Sequence, residues 1–150
     1  MKVLVVNAGS SSLKFSVFTV GEGEQTLLAR GNIERIGLLG PNFIYQRGAE
    51  EKTAEDVEVK NHADAVKALC RKLVDPGVGV LRDLSEIRAI GHRVVHGGEK
   101  FTAPVVVDEE VKANIRACVD LAPLHNPPNL TGILACETVF PGVPNVAVFD

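Results

Sequence analysis

The chain has 150 residues, 45% of them hydrophobic and 23% charged, with a formal net charge of −3. That size and composition suit one soluble globular domain with its own core. The mild negative charge argues against a basic nucleic-acid-binding face, and no run approaches the ~18 apolar residues of a membrane span.

The opening MKVLVVN has one Lys and a short apolar run, too short for a secretory signal and without a small-residue cleavage site, so a cytoplasmic location is expected. Residues 2–6 (KVLVV) read as a buried strand and 13–20 (LKFSVFTV) as a second, with Leu13, Phe15 and Val17 alternating against Lys14, Ser16 and Phe18. Residues 26–36 predict a third strand ending near Gly37, and the polar stretch from Gly40 to Lys60 an excursion or hairpin. Asn61 caps a helix whose Val66, Leu69, Cys70, Leu73 and Val74 recur at helical spacing until Asp75-Pro76-Gly77. Residues 87–95 read as a buried strand running into His96-Gly97-Gly98. Asp108 caps a second helix carrying Val111, Ile115, Cys118 and Val119 on one face. Asn126 caps a third, with Pro127 and Pro128 in its first turn, Leu130, Ile133 and Leu134 facing inward and Pro141 ending it. Residues 146–149 form a last buried strand. Opening hairpins followed by strand–helix alternation predict a mixed sheet with helices on both faces. The three cysteines, Cys70, Cys118 and Cys136, are far apart and lie in helical patterns, so buried reduced thiols are expected.

Four stretches carry chemistry. In VVNAGSSSLKF (residues 5–15), a tight turn between strands offers backbone N–H groups, three hydroxyls and Lys14 to a polyphosphate, with Gly9 permitting close approach. It is not a Walker A loop, and a plain Gly-Ser hairpin is the alternative. Asn7, where the first strand ends, can orient a metal-bound water without adding negative charge beside phosphate. In GHRVVHGGEKF (91–101), the strand delivers its last side chains to the carboxyl edge of the sheet, where open α/β sheets bind ligands. Arg93 there reads as a buried guanidinium that needs a carboxylate, structural or substrate, or a phosphoryl group. In LAPLHNPPN (121–129), His125 precedes a Pro-rich helix start, where an imidazole can donate to an anion or simply pack. In VAVFD (146–150), a buried strand carries Asp150 to the same edge or exposes it there. No His or Cys spacing suggests a metal cage.

Together, and in this order, the four stretches resemble those of the acetate kinase (acetokinase) family, and the likeness runs from end to end of the chain. The resemblance implies a ribonuclease H-like N-terminal domain of the acetate and sugar kinase/Hsp70/actin fold, spanning residues 1–150. It implies direct in-line transfer of phosphate from ATP to acetate, giving acetyl phosphate and ADP. On matching positions it makes Asn7 the Mg²⁺-associated residue and Ser10, Ser12 and Lys14 the ATP-phosphate contacts. Arg93 becomes the substrate and transition-state arginine, His125 the donor to the transferring group, Asp150 the residue usually assigned acid/base work, and Val95 and Leu124 the lining of a pocket for the acetate methyl. A literal proton-transfer role for Asp150 fits the chemistry less well than holding Mg²⁺ through water or orienting Arg93. The family's second, nucleotide-binding half has no counterpart here, so little turnover is expected of this chain alone, and a homodimer is expected of a full-length protein. Propionate kinase or another short-chain carboxylate kinase is the close alternative. A stand-alone non-catalytic phosphate- or partner-binding domain is the alternative outside enzymes.

Overall fold

The computed structural model describes residues 1–95, 97, 103–118, 122–124 and 126–149. Eight strands form one sheet: β1 (Lys2–Ala8), β2 (Leu13–Gly21), β3 (Glu24–Glu34), β4 (Asn42–Arg47), β5 (Thr53–Asp56), β6 (Ile87–Val94), β7 (Val105–Val106) and β8 (Asn145–Phe149). Their order is β5-β4-β3-β2-β1-β6-β8-β7. The helices are α1 (His62–Leu73), α2 (Glu109–Ala117) and α3 (Asn126–Val139), with a single 3-10 turn at Leu84–Glu86 before β6.

The sheet has two characters. From β5 to β1 neighbours are antiparallel, because tight connections return the chain directly alongside itself. β6 runs parallel to β1, and β8 parallel to β6, across helical connections. The stretch between Gly40 and Lys60 is the β4–β5 hairpin, with Phe43 opposite Glu55. β7, two residues long and paired antiparallel to the far edge of β8, is too short to leave a periodic signal in the sequence.

Alternation along the strands divides the residues between the two faces. Leu4, Val6 and Ala8 of β1 and Leu13, Phe15 and Val17 of β2 are buried on one face, where α1 and α3 pack. A second cluster, Val94 and Ala147 from the sheet with Val111, Ile115, Leu130 and Ile133 from α2 and α3, extends that same face. Among the described residues all three helices cover this face, so the layout with helices on both faces is met on one face only. The opposite face leaves Val5 38% and Val148 45% exposed.

Helix starts follow the local chemistry. Asn61 Oδ1 accepts from Asp64 N–H at 2.8 Å and Asp108 Oδ1 from Val111 N–H at 2.9 Å, each satisfying an amide that the helix cannot. Asn126 departs from expectation: it is the first residue of α3, fully buried, and its Nδ2 donates to Ile115 O of α2 at 3.2 Å instead of capping. Leu134 also departs, being 38% exposed. The inward face of α3 is centred on Asn129, Gly132, Ile133 and Cys136, and a residue 100° past Ile133 falls at its rim. All three cysteines are free and buried, as expected, and burial pushes the Cys70 and Cys136 thiols up to about 12.

Candidate active site at the ends of the central strands

The β1–β2 turn, Gly9–Ser12, is held by its carbonyls. Gly9 N–H donates to Ser12 O at 2.9 Å and closes the turn. Ser11 O accepts from Ile36 N–H at 2.8 Å, and Gly9 O from His62 Nε2 at 2.7 Å. Ala8 O, just before the turn, accepts from Asn129 Nδ2 at 3.1 Å. A Cβ on Gly9 would lie 2.6 Å from Ser12 Oγ, so a larger residue there would make the Ser12 hydroxyl swing aside. Among the described residues, the amides of Ser10, Ser11 and Ser12 have no backbone acceptor. A loop anchored by its carbonyls with its N–H groups left over is a concavity for anions.

Beside the loop, side chains on the open face form a row. Asn7 on β1 is the cross-strand partner of Lys14 on β2, and Lys14 that of Asn32 on β3. Val6 pairs with His92, so Asn7 and Arg93 each lie one residue further along β1 and β6. Arg93 in turn pairs with Val148 of β8. Lys14 and Arg93 are both exposed. This corrects the reading of Arg93 as a buried guanidinium: β6 buries Ile90, His92 and Val94 under the helices and turns Arg93 to the open face. Lys14, Ser16, Arg30, Asn32, Ile44 and Gln46 line an open depression of about 330 Å³ on that face. The Nδ2 of Asn32 donates to Glu34 at 2.8 Å, whereas its buried Oδ1 has no partner among the described residues.

The two residues expected to line a methyl pocket differ in exposure: Val95 is half-buried at the end of β6, and Leu124 is 78% exposed. His125, Asp150, His96 and Val119 lie outside the described residues. Phe149, which precedes Asp150, is opposite Val94. Among the described residues no three His, Cys, Asp or Glu side chains converge as a metal cage. Asn7 can reach a metal only as a neutral partner, which suits Mg²⁺ that keeps its waters and arrives on phosphate.

Two supporting residues, Asn129 and His62, escaped the sequence reading, and a third, His92, lies in the core, as a histidine within an apolar strand is expected to. Asn129 is 4% exposed and joins two strand ends: besides donating to Ala8, its Oδ1 accepts from Val95 N–H at 3.0 Å. His62, 7% exposed, ties α1 to the turn. His92, 2% exposed, donates through Nε2 to Asn145 Oδ1 at 2.7 Å, and burial lowers its pKa to about 4, so the ring is neutral at pH 7. Asn129 stands inside the quoted LAPLHNPPN stretch, but only tertiary packing gives it partners more than 30 residues away.

A mixed parallel–antiparallel sheet covered by helices on one face, with a carbonyl-anchored turn and two cationic side chains near its strand ends, defines an α/β domain. The chain belongs to the acetokinase family, whose model matches residues 2–150. It is 49% identical over all its residues to the acetate kinase of Thermoanaerobacter pseudethanolicus and 50% to that of Dictyoglomus turgidum. Among solved structures it superposes on Porphyromonas gingivalis acetate kinase with a TM-score of 0.94 at 42% identity, covering 99% of this chain and 37% of that one. A propionate kinase from Francisella tularensis gives 0.86 at 38% identity, covering 99% and 36%. The chain spans 37% of the Thermoanaerobacter protein and 36% of the Dictyoglomus protein.

Proposed function

We propose that this chain forms the acetate- and phosphate-binding part of an acetate kinase, which moves the γ-phosphoryl group of ATP directly to acetate and runs in reverse from acetyl phosphate. The observation that carries the reading is the row Lys14–Asn7–Arg93 beside a turn whose three serine amides have no backbone acceptor among the described residues. Acetate, with a pKa near the ~4.3 of a glutamate side chain, is already an anion at neutral pH and needs no base. The barrier lies in bringing that anion onto a polyanion. Ser10, Ser12 and Lys14 bind donor phosphate oxygens, Arg93 holds the acetate carboxylate and the transferring group, and His125 donates to that group. Asp150 orients Arg93 or holds the Mg²⁺ waters, and Asn7 is the neutral partner of that ion. Mg²⁺, carried in on the nucleotide, would neutralise phosphate charge. None of these residues is an activated nucleophile, so no phosphoenzyme forms.

The likeness to a propionate kinase favours a second reading, a propionate kinase. Val95 and Leu124 are the residues proposed to line the methyl site, and one methylene changes binding by only about 1–3 kcal/mol. The ratio of kcat/KM for acetate and propionate decides between them. The family reading also implies a cytoplasmic homodimer, checked by sedimentation; among the described residues no helix is long and apolar enough to cross a membrane.

The test is a hydroxamate assay for acetyl phosphate with ATP, Mg²⁺ and acetate, run on the 150-residue chain beside the longest reading frame that contains it. Activity confined to the longer protein supports a site shared with further sequence. Activity in neither leaves a binding domain and sinks the kinase reading.

A further inference from the structure

We propose that Asn129 is a positioning residue that sets the spacing between the phosphate turn and the arginine strand by replacing one rung of the parallel β1–β6 ladder with its carboxamide. The inference rests on the phosphoryl-transfer reading above. β1 and β6 pair in register through Val6 and His92. Continuing that register sets Ala8 opposite Val94, and in a parallel ladder the Ala8 carbonyl would then accept from the amide of the next residue, Val95. The structure replaces that bond with two. Asn129 Nδ2 donates to Ala8 O at 3.1 Å, and Asn129 Oδ1 accepts from Val95 N–H at 3.0 Å. An inserted amide group holds the strand ends apart where Asn7 and the turn leave β1 and Arg93 leaves β6, while leaving no backbone group unpaired.

Only a residue with both a donor and an acceptor at this reach can span the gap, and Asn129 is 4% exposed, so water does not compete. Its height over the sheet is set one turn later on α3. A Cβ on Gly132 would lie 2.8 Å from Ala8 Cβ, so glycine lets the helix settle directly on the end of β1. The turn is fixed independently by His62 and Ile36, so Asn129 controls its distance from β6 and not its internal shape.

The experiment uses the full-length protein that contains this chain, with two readouts. Asn129→Asp keeps the size and the acceptor for Val95 N–H but turns an oxygen toward the Ala8 carbonyl. Amide hydrogen exchange of peptides covering Val5–Gly9 and Val94–Gly97 should quicken together by about tenfold or more, while β8 keeps its protection. kcat for acetyl phosphate formation should fall about 10²-fold with a smaller change in KM for ATP. Ile133→Val, a core truncation on the same helix that touches neither bond, should lose comparable thermal stability and keep its kcat. Gly132→Ala, a good helix former, should reproduce the kcat loss if Asn129→Asp does not fold. Unchanged exchange at either strand end, or equal kcat losses in Asn129→Asp and Ile133→Val, overturns the proposal. A wild-type protein that forms no acetyl phosphate sinks the kinase reading, and the exchange readout still decides the role of Asn129.

Discussion

The two faces of the sheet use the same strands for opposite ends. On the helix-covered face, Leu4, Val17, Leu69, Ile90 and Ile133 are fully buried, and nearly every polar group there has a partner. On the open face, one residue away along each strand, Asn7, Lys14 and Arg93 line up beside exposed Val5 and Val148. Strand alternation makes this division possible: a residue can be given to chemistry while its neighbours hold the core. Core packing and the proposed site are therefore separated here by a single step in sequence number, and they meet at the strand ends.

That separation can be broken by experiment. The largest effect expected is on the covered face. Leu69→Ala should destabilise the protein by about 2–5 kcal/mol through lost burial and the cavity left behind, read by urea unfolding, with activity per folded molecule kept. Next, Arg93→Ala on the open face should lower kcat for acetyl phosphate formation about 10²–10³-fold with little change in thermal midpoint. A large stability loss there, or a large kcat loss at Leu69, would dissolve the distinction between the faces.

His92 sharpens the comparison, because it is a titratable group buried on the structural side. Its folded pKa of about 4 lies below the ordinary value of 6.5, so the unfolded chain binds the extra proton between these pH values. Stability should therefore be full above pH ~6.5 and fall as pH drops toward ~4, by up to about 3 kcal/mol, and His92→Gln should flatten that slope. Glu86, half-buried and held down to about 2 chiefly by the Lys2 ammonium and backbone amides, acts in a separate window between its ordinary pKa and 2. The smallest effect is at a helix end: Asn61→Ala should cost about 1 kcal/mol in thermal or urea unfolding and leave kcat unchanged.

Much of this was legible in the chain. Apolar runs located β1 and β6, and period-two alternation located β2, each within a residue or two, and the Asn61 and Asp108 caps marked two helix starts. The Ser-rich turn and Arg93 stand out because small, hydroxyl-bearing and cationic residues interrupt apolar runs. Arg93 was legible as a candidate site residue but not in its exposure, since an apolar strand sequence does not say which of its faces a helix covers. Leu134 went wrong for a related reason: helical periodicity gives an apolar stripe, but which edge of it is the rim depends on how α3 sits against α1 and β1.

The residues alone determined the local elements, the turn chemistry and the family, because these depend on spacing within a few positions and on motifs kept contiguous in the chain. Tertiary structure alone decided which face stays open, that His62 anchors the turn, and that Asn129 stands between Ala8 and Val95. Those are choices among partners 34 to 121 residues apart, made when the helices dock and every buried amide must find a mate.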